Sequence, residues 1–110
     1  MILMPIVYVT DMDSSLDFYA SLGFEVSRRG THWSELRAGG GAVLALHLAE
    51  ESGLELALMA TDPLEDVVAA HPDAVDRPIA DEQFGRSVVL RDPDGLALQV
   101  NEHDREPHPA

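Results

Sequence analysis

The chain has 110 residues, the length of one domain, and 45% of them are hydrophobic, which is enough for a single core. It contains no cysteine, which excludes disulfides, thiolate metal ligands and cysteine nucleophiles. Twenty acidic residues against seven basic ones give a net charge of -13. A nucleic-acid-binding protein needs a basic face, so that class is excluded. An acidic surface solvates a protein and also attracts cationic organic molecules.

The apolar N-terminus MILMPIVYVT lacks the basic segment and the cleavage site of a signal peptide, and it leads directly into acidic residues. No apolar run approaches the roughly 18 residues of a membrane span. We therefore expect a soluble, cytoplasmic protein that has no contact with membranes.

The first half of the chain predicts one strand, one helix and three further strands. Residues 2–10 are rich in Ile and Val and predict the first strand. A helix of about ten residues follows, with Asp11 or Asp13 as its N-cap and Gly23 as its stop. Short strands are predicted over residues 24–28, 33–37 and 42–48, with Gly39-Gly40-Gly41 forming the last turn.

The second half predicts the same order of elements. Residues 54–61 form a strand, and residues 62–72 form a helix with Asp62 as its cap, Pro63 at its first position and Glu65 completing a capping box. Pro72 ends this helix. Strands are predicted over residues 75–79, 86–91 and 96–101. We expect the polar tail, residues 103–110, to be flexible.

Matching residues support an internal repeat. Thr10-Asp11 and Thr61-Asp62 each end a strand and begin a helix, 51 positions apart. Arg37 to Gly41 corresponds to Arg91 to Gly95, 54 positions apart, and each glycine precedes a final strand. The sequence therefore predicts one domain, residues 1–102, built of two modules at about 1–50 and 53–102.

Alternation along the strands assigns residues to faces. Each of three predicted strands has one face of Leu or Leu and Val and one mixed face. The apolar faces should pack under the helices, and the mixed faces should enclose a cavity or meet a partner chain. The apolar faces are Leu44, Leu46 and Leu48; Leu54, Leu56 and Leu58; and Leu96, Leu98 and Val100. The mixed faces are Val43, Ala45 and His47; Glu55, Ala57 and Met59; and Ala97, Gln99 and Asn101.

The first strand is apolar on both faces, so only the repeat can orient it. Met4 corresponds to Glu55, because each lies seven residues before the aspartate of its module. This correspondence puts Met4, Ile6 and Tyr8 on the cavity side. Gln99 is then predicted to face a cavity near Glu55.

Two segments resemble a known family. VYVTDMDSSLDFYASLGFEV near the N-terminus and GRSVVLRDPDGLALQVNE near the C-terminus are similar to the vicinal oxygen chelate superfamily of glyoxalase I, bleomycin resistance proteins and extradiol dioxygenases. The resemblance covers residues 3–102. It implies an α+β fold of two tandem βαβββ modules forming cupped mixed sheets. It also implies a homodimer in which two chains build each site.

The resemblance also implies where a metal would bind. Enzymes of the family hold one divalent ion with His, Glu or Gln on the first and last strand of each module, and the ion acts as a Lewis acid. The matching positions here are Met4, Ala45, Glu55 and Gln99. A thioether suits such an ion poorly and alanine offers no ligand, so a decayed site is expected. The alternative is a His47, Glu55 and Gln99 site for Zn, Ni, Fe or Mn, in which Glu55 would be catalytic.

Individual candidates have structural alternatives. Glu55 is either a cavity carboxylate or an exposed edge residue, and His47 either binds a ligand or is structural. Gln99 and Asn101 either orient a ligand or satisfy backbone groups. Trp33 and Phe84 adjoin loops and are stacking candidates, with His32 and Arg86 at the rim.

Together these residues predict a small-molecule-binding protein, similar to the bleomycin resistance branch, that holds an aromatic or cationic ligand in a dimer cleft without a metal. The ligand-binding residues would be Met4, Ile6, Tyr8, Trp33, His47, Glu55, Met59, Gln99 and Asn101. Two alternatives stay open: a metal-dependent lyase, isomerase or dioxygenase, and an interaction module whose concave face is filled by the partner.

Overall fold

The structure is a computed structural model that describes residues 1–82 and 85–103. Phe84, a predicted stacking residue, and residues 104–110 of the predicted tail lie outside the described residues. The chain divides into two compact units. The first unit is Leu3–Glu55, and the second combines Met1–Ile2 with the chain from Leu56 onward.

The first unit is built on a five-stranded mixed sheet. After β1 (Ile2–Leu3), which belongs to the other sheet, the chain forms β2 (Ile6–Val9), α1 (Met12–Ser21), β3 (Glu25–Arg28), β4 (Trp33–Arg37), β5 (Val43–Leu48) and β6 (Gly53–Glu55). The strand order is β3-β4-β5-β2-β6. Strands β2 and β5 are parallel, and the other neighbours are antiparallel.

Helix α1 covers one face of this sheet. Asp11 caps it, since its Oδ1 accepts a hydrogen bond from the Ser14 amide at 3.1 Å, as predicted. Gly23, at φ +104°, follows the helix in the left-handed conformation that glycine adopts without strain. The buried core beneath the helix comprises Val9, Met12, Leu16, Leu36 and Leu46, with Leu44 and Leu48 packed against it. The predicted apolar face of β5 is therefore confirmed.

The second unit repeats this arrangement. It contains β7 (Ala57–Met59), α2 (Leu64–Ala70), β8 (Val75–Glu82), β9 (Gly85–Arg91) and β10 (Ala97–His103), and its sheet has the order β1-β7-β10-β9-β8. Strands β7 and β10 are parallel. Leu64, Val88, Leu90 and Val100 form the core between α2 and the sheet. The two sheets share one topology, which confirms the predicted α+β fold of two βαβββ modules with mixed sheets.

Helix α2 begins differently from the prediction. It starts at Leu64 after Pro63, and neither Asp62 nor Glu65 caps it. Instead Glu102 of β10 accepts a hydrogen bond from the Leu64 amide at 3.0 Å. Arg86 holds this carboxylate at 2.9 Å and also binds Glu65, which lowers the pKa of Glu65 below its ordinary value. A long-range contact therefore replaces the predicted capping box, because Glu65 pairs with Arg86.

Two predicted strands are each broken in two. Residues 2–10 divide at Met4-Pro5 into β1 and β2, and residues 54–61 divide at Leu56 into β6 and β7. At each break the chain leaves one sheet and joins the other. Pro5 lacks an amide hydrogen, so it cannot continue the strand ladder as a donor. Leu56 uses its carbonyl to accept a hydrogen bond from the Gln99 amide at 3.3 Å.

Part of the prediction for the apolar faces is wrong. Leu54 is 76% exposed, Leu56 is 39% exposed and Leu96 is 57% exposed, so none of them lies in a core. Only Leu58, beyond the break, packs under α2 as predicted for its strand. Strand β10 also extends through His103, which was expected to begin the tail. No helix among residues 1–82 and 85–103 is long and apolar enough to span a membrane.

Candidate functional site

Three rings form a row across the helix-free face of the first unit's sheet. The strand register puts Trp33 of β4 beside His47 of β5, and His47 beside Tyr8 of β2. The ring centroids of Trp33 and His47 are 5.8 Å apart, and those of His47 and Tyr8 are 5.4 Å apart. Residues paired in register point to the same face, so this face lies opposite α1. The sequence placed all three residues among the ligand-binding candidates but did not show that they touch.

A carboxylate ends this row. The phenol of Tyr8 donates a short hydrogen bond to Oε2 of Glu55 on the edge strand β6. Burial raises the pKa of Tyr8 to about 12, and the bond to Glu55 and the charge of Glu55 add to the shift. Tyr8 therefore stays a neutral donor at physiological pH. Glu55 is half-buried and hydrogen-bonded to Tyr8. Its burial is therefore intermediate between that of a cavity carboxylate and that of an exposed edge residue, the two alternatives that the sequence left open.

The imidazole of His47 has a defined orientation. Its Nδ1 lies 2.9 Å from the carbonyl oxygen of Leu48. A carbonyl only accepts, so Nδ1 carries the proton and Nε2 is the acceptor of the neutral ring. His47 is exposed, which leaves its ring available to a ligand on this face.

The next row of the same face contains Ile6, Ala45 and Glu35, with Glu55 paired beside Ile6. Ile6 and Ala45 are buried and make the floor apolar. The Glu35 side chain is 18% exposed and lies 4.0 Å from Arg28. Sequence reasoning missed Glu35 as a site residue. The signal was available, because alternation along residues 33–37 puts Glu35 on the face of Trp33.

The side chains of this unit do not fit a divalent metal ion. At the two family positions of the first module it offers the buried thioether of Met4, at the break between β1 and β2, and the methyl group of Ala45 on β5. Tyr8 engages the carboxylate of Glu55, and His47 and Glu35 remain as potential ligands on this face. Throughout residues 1–82 and 85–103, no three His, Asp or Glu side chains converge as a metal site requires.

The helix-free face of the second unit is polar at its centre. Asn101 lies beside Met59 of β7 and Ser87 of β9, and Gln99 lies beside Ala57. Asn101 is fully buried, and its Nδ2 donates to Oε1 of Gln99 at 3.3 Å. Its Oδ1 has no hydrogen-bond partner among the described residues. A buried acceptor left without a donor costs about 1–3 kcal/mol.

The remaining predictions concern Arg86, the proximity of Gln99 to Glu55, and His32. Arg86 is not a rim residue, because it is bound to Glu65 and Glu102 beside α2. Gln99 belongs to the second unit and Glu55 to the first, so their predicted proximity stays a prediction. The backbone carbonyl of His32 accepts from the Leu48 amide at 2.8 Å, and a ligand-binding role for its side chain stays a prediction as well.

Solved structures of low sequence identity share this fold. An NAD-dependent benzaldehyde dehydrogenase from Legionella pneumophila is 21% identical, with a TM-score of 0.74 over 93% of this chain and 99% of that one. A glyoxalase/bleomycin resistance protein/dioxygenase superfamily member from Vibrio splendidus 12B01 is 21% identical, with a TM-score of 0.61 over 91% and 97%. An extradiol ring-cleaving dioxygenase from B. fuscum is 20% identical, with a TM-score of 0.66 over 91% of this chain and 31% of that one. At these identities the likeness shows the fold alone.

The sequence itself carries the family assignment. No curated protein is similar enough in sequence to count as a relative. The family model of the glyoxalase/bleomycin resistance protein/dioxygenase superfamily matches residues 2–100, nearly the whole chain. The match includes both modules and the residues of the ring row. The chain therefore belongs to the glyoxalase/bleomycin resistance protein/dioxygenase superfamily.

Proposed function

We propose that this protein binds a flat, cationic small molecule on the helix-free face of its first unit, without a metal and without chemical conversion. The observation that carries the proposal is the row Trp33, His47 and Tyr8, which ends at the carboxylate of Glu55. Rings present a surface for stacking, and a carboxylate beside them selects for positive charge. The net charge of -13 favours the approach of a cation.

Each part of the row has a separate role in this proposal. The three rings and the apolar floor of Ile6 and Ala45 supply the contact area that removes a flat ligand from water. Tyr8 holds Glu55 in one orientation, so less side-chain entropy is lost when the ligand binds. Glu55 then supplies charge at a fixed point on the edge strand. Gln99, Asn101 and Met59 lie on the helix-free face of the second unit, and their contact with a ligand stays a prediction.

The test uses two ligands of the same shape and different charge. Trp33 is the single tryptophan of the chain, so quenching of its fluorescence reports a ligand stacked on the row. We expect N-methylquinolinium to bind more tightly than the uncharged 1-methylnaphthalene. Glu55→Gln should weaken binding of the cation about tenfold, corresponding to about 1.4 kcal/mol, and leave the neutral ligand unchanged.

Asp17→Asn is the matched control, because Asp17 is an exposed carboxylate on α1, on the other face of the sheet. It should leave both affinities unchanged. Equal losses for Glu55→Gln and Asp17→Asn would attribute the preference to overall charge and refute a site at Glu55. Equal quenching by both ligands in the unaltered protein would refute the proposed charge selection.

The alternative function is a metal-dependent lyase, isomerase or dioxygenase, in which Glu55 and Gln99 would be ligands, completed by His47 or by a residue of the partner chain. Thermal unfolding with Zn²⁺, Ni²⁺, Mn²⁺ or Fe²⁺ separates the two functions. A metal at about a hundred times its Kd stabilises a protein by about 2.7 kcal/mol, which raises the Tm by several degrees. We expect no rise for a chain ending at Glu102, which lacks the two C-terminal histidines. A rise that disappears in Glu55→Gln would favour the enzyme.

A further inference from the structure

The second unit contains an apolar groove on the opposite, helix-covered face of its sheet. The groove has a volume of about 850 Å³ and opens beside α2. Its apolar lining is continuous with the core of this unit, since Val67 of α2 and Leu58, Leu90 and Val100 of the sheet belong to both. This volume is within the range of about 300–1,000 Å³ that is typical of small-molecule sites.

The C-terminal end of α2 borders the groove. Helix α1 has ten residues, whereas α2 has seven and ends at Ala70 before the turn at Pro72. Ala70, His71 and Ala74 line this end of the groove. Ala70 is exposed, so a ligand can reach the groove beside its methyl group.

The polar part of the lining is predominantly acidic. Four aspartates contribute to it: Asp62, Asp66, Asp73 and Asp92. Arg91 also lines the groove, but its Nε is paired with Asp76 at 3.1 Å and its NH1 donates to the Gly95 carbonyl at 2.7 Å. The amino group of Met1 donates to the Thr61 hydroxyl at 3.1 Å. The lining aspartates therefore outnumber these two cations by two to one.

We propose that this groove binds a lipophilic cation, an apolar chain or ring system that carries one protonated amine. The apolar body would lie against Leu58, Val67 and Leu98, which are partly exposed in the lining, and would be removed from water there. The ammonium group would remain at the exposed edge of the groove near Asp66 and Asp73, where solvent still reaches it and its desolvation cost is small. This site goes beyond the ring row, because all of its residues belong to the second unit.

Ligands with one tail and three head groups test the proposed chemistry. Decylammonium, decanol and decanoate are titrated separately into the full-length protein by isothermal titration calorimetry, below their micellar concentrations. We expect one decylammonium per chain at this site, weaker binding of decanol, and binding of decanoate at least about tenfold weaker than that of decylammonium. Raising the salt concentration should reduce the difference in affinity between decylammonium and decanoate, because salt screens the charges of exposed aspartates. Decanoate that binds as tightly as decylammonium would overturn the proposal.

Two substitutions on α2 test the location. Ala70→Phe places a ring at a lining position, so it should fill the groove and reduce decylammonium binding at least about tenfold. Ala69→Phe is the matched control, because Ala69 is an exposed residue of the same helix that does not line the groove. It should leave binding unchanged. Unchanged binding in Ala70→Phe, with the fold intact by circular dichroism, would overturn the proposal.

Two further variants test the charge and separate this site from the ring row. The double variant Asp66→Asn with Asp73→Asn should weaken decylammonium binding by about two- to ten-fold and leave decanol unchanged. Glu55→Gln should leave decylammonium binding unchanged. Decylammonium binding that is lost in Glu55→Gln and retained in Ala70→Phe would overturn the groove and support the ring row. Decylammonium binding that is lost in Ala70→Phe and retained in Glu55→Gln supports the groove. This result holds whether or not Glu55→Gln weakens the binding of N-methylquinolinium to the ring row.

Discussion

Tyr8 connects the rings of the proposed binding surface to its charge. Its ring contacts His47, and its hydroxyl group binds Glu55, so one side chain of β2 joins β5 to the edge strand β6. Burial disfavours the phenolate, and Glu55 disfavours it further by repulsion and by accepting the proton. The result is a neutral donor that holds an anionic acceptor.

This arrangement predicts a specific loss of stability in alkali. The pKa of Tyr8 is raised from 10.0 to about 12, so the stabilisation from its protonated form is fully present below pH 10 and is lost as the pH rises through 12. Between these values the free energy of unfolding in urea should fall faster for the unaltered protein than for Tyr8→Phe. An identical pH dependence for the two proteins would contradict the raised pKa. The absorbance of tyrosinate checks the titration directly, because Tyr19 is the only other tyrosine.

The two helices occupy equivalent places but begin by different means. Asp11 caps α1 from the adjacent position in the chain, whereas α2 receives its cap from Glu102, 38 residues away. The local sequence pattern correctly included Asp11 among the two possible caps of α1. Its prediction of Asp62 and Glu65 as the capping residues of α2 was wrong. The long-range cap forms because β10 lies beside the start of α2 and Arg86 holds Glu102 in place.

The long-range cap should therefore contribute as much as the local one. We expect Glu102→Ala and Asp11→Ala each to lower the free energy of unfolding in urea by about 1 kcal/mol. Glu65→Ala should have a smaller effect, because the Glu65 carboxylate is exposed and its ion pair with Arg86 is screened by solvent. A loss for Glu65→Ala equal to that for Glu102→Ala would show that the ion pair, and not the cap, stabilises the start of α2.

At the scale of the whole molecule, exposed apolar residues mark the ends of the sheets. Strands β1 and β6 are edge strands, and they carry Leu3 at 56% exposure and Leu54 at 76%. An exposed apolar edge strand is prone to pair with another chain. We therefore propose that the protein is a homodimer that uses the β6 edge, consistent with the dimer that the family resemblance implies.

A charge on that edge should separate the two chains. We expect the unaltered protein to sediment as a dimer and Leu54→Lys to sediment as a monomer, because the lysine would have to be desolvated at the interface. Leu22→Lys is the matched control, since Leu22 follows α1 and is 60% exposed. It should remain dimeric. Dissociation of both variants, or of neither, would refute the β6 edge as the interface.

Periodicity and turn chemistry predict most of the fold because they are local properties. Alternation correctly put Leu46 under a helix and His47 on the opposite face, since a strand turns successive side chains to opposite sides. Pro93 and Gly95 suit the second and fourth positions of a type I turn, and residues 92–95 form a turn in which the Gly95 amide donates to the Asp92 carbonyl at 2.9 Å. The contact between Tyr8 and Glu55 could not be predicted, because alternation shows which face a residue occupies and not which strand lies beside it.

The amino-acid sequence by itself determined the class of the protein: an acidic chain without cysteine, two βαβββ modules and the sheet face that Tyr8 and His47 share. These features follow from composition, capping and alternation, which act over a few residues. Tertiary structure alone decided that Leu54 and Glu55 join the first sheet, that Glu102 caps α2, and that a groove opens beside α2. Each of these depends on which distant segment becomes the neighbour, and that choice is made by burial of the assembled core.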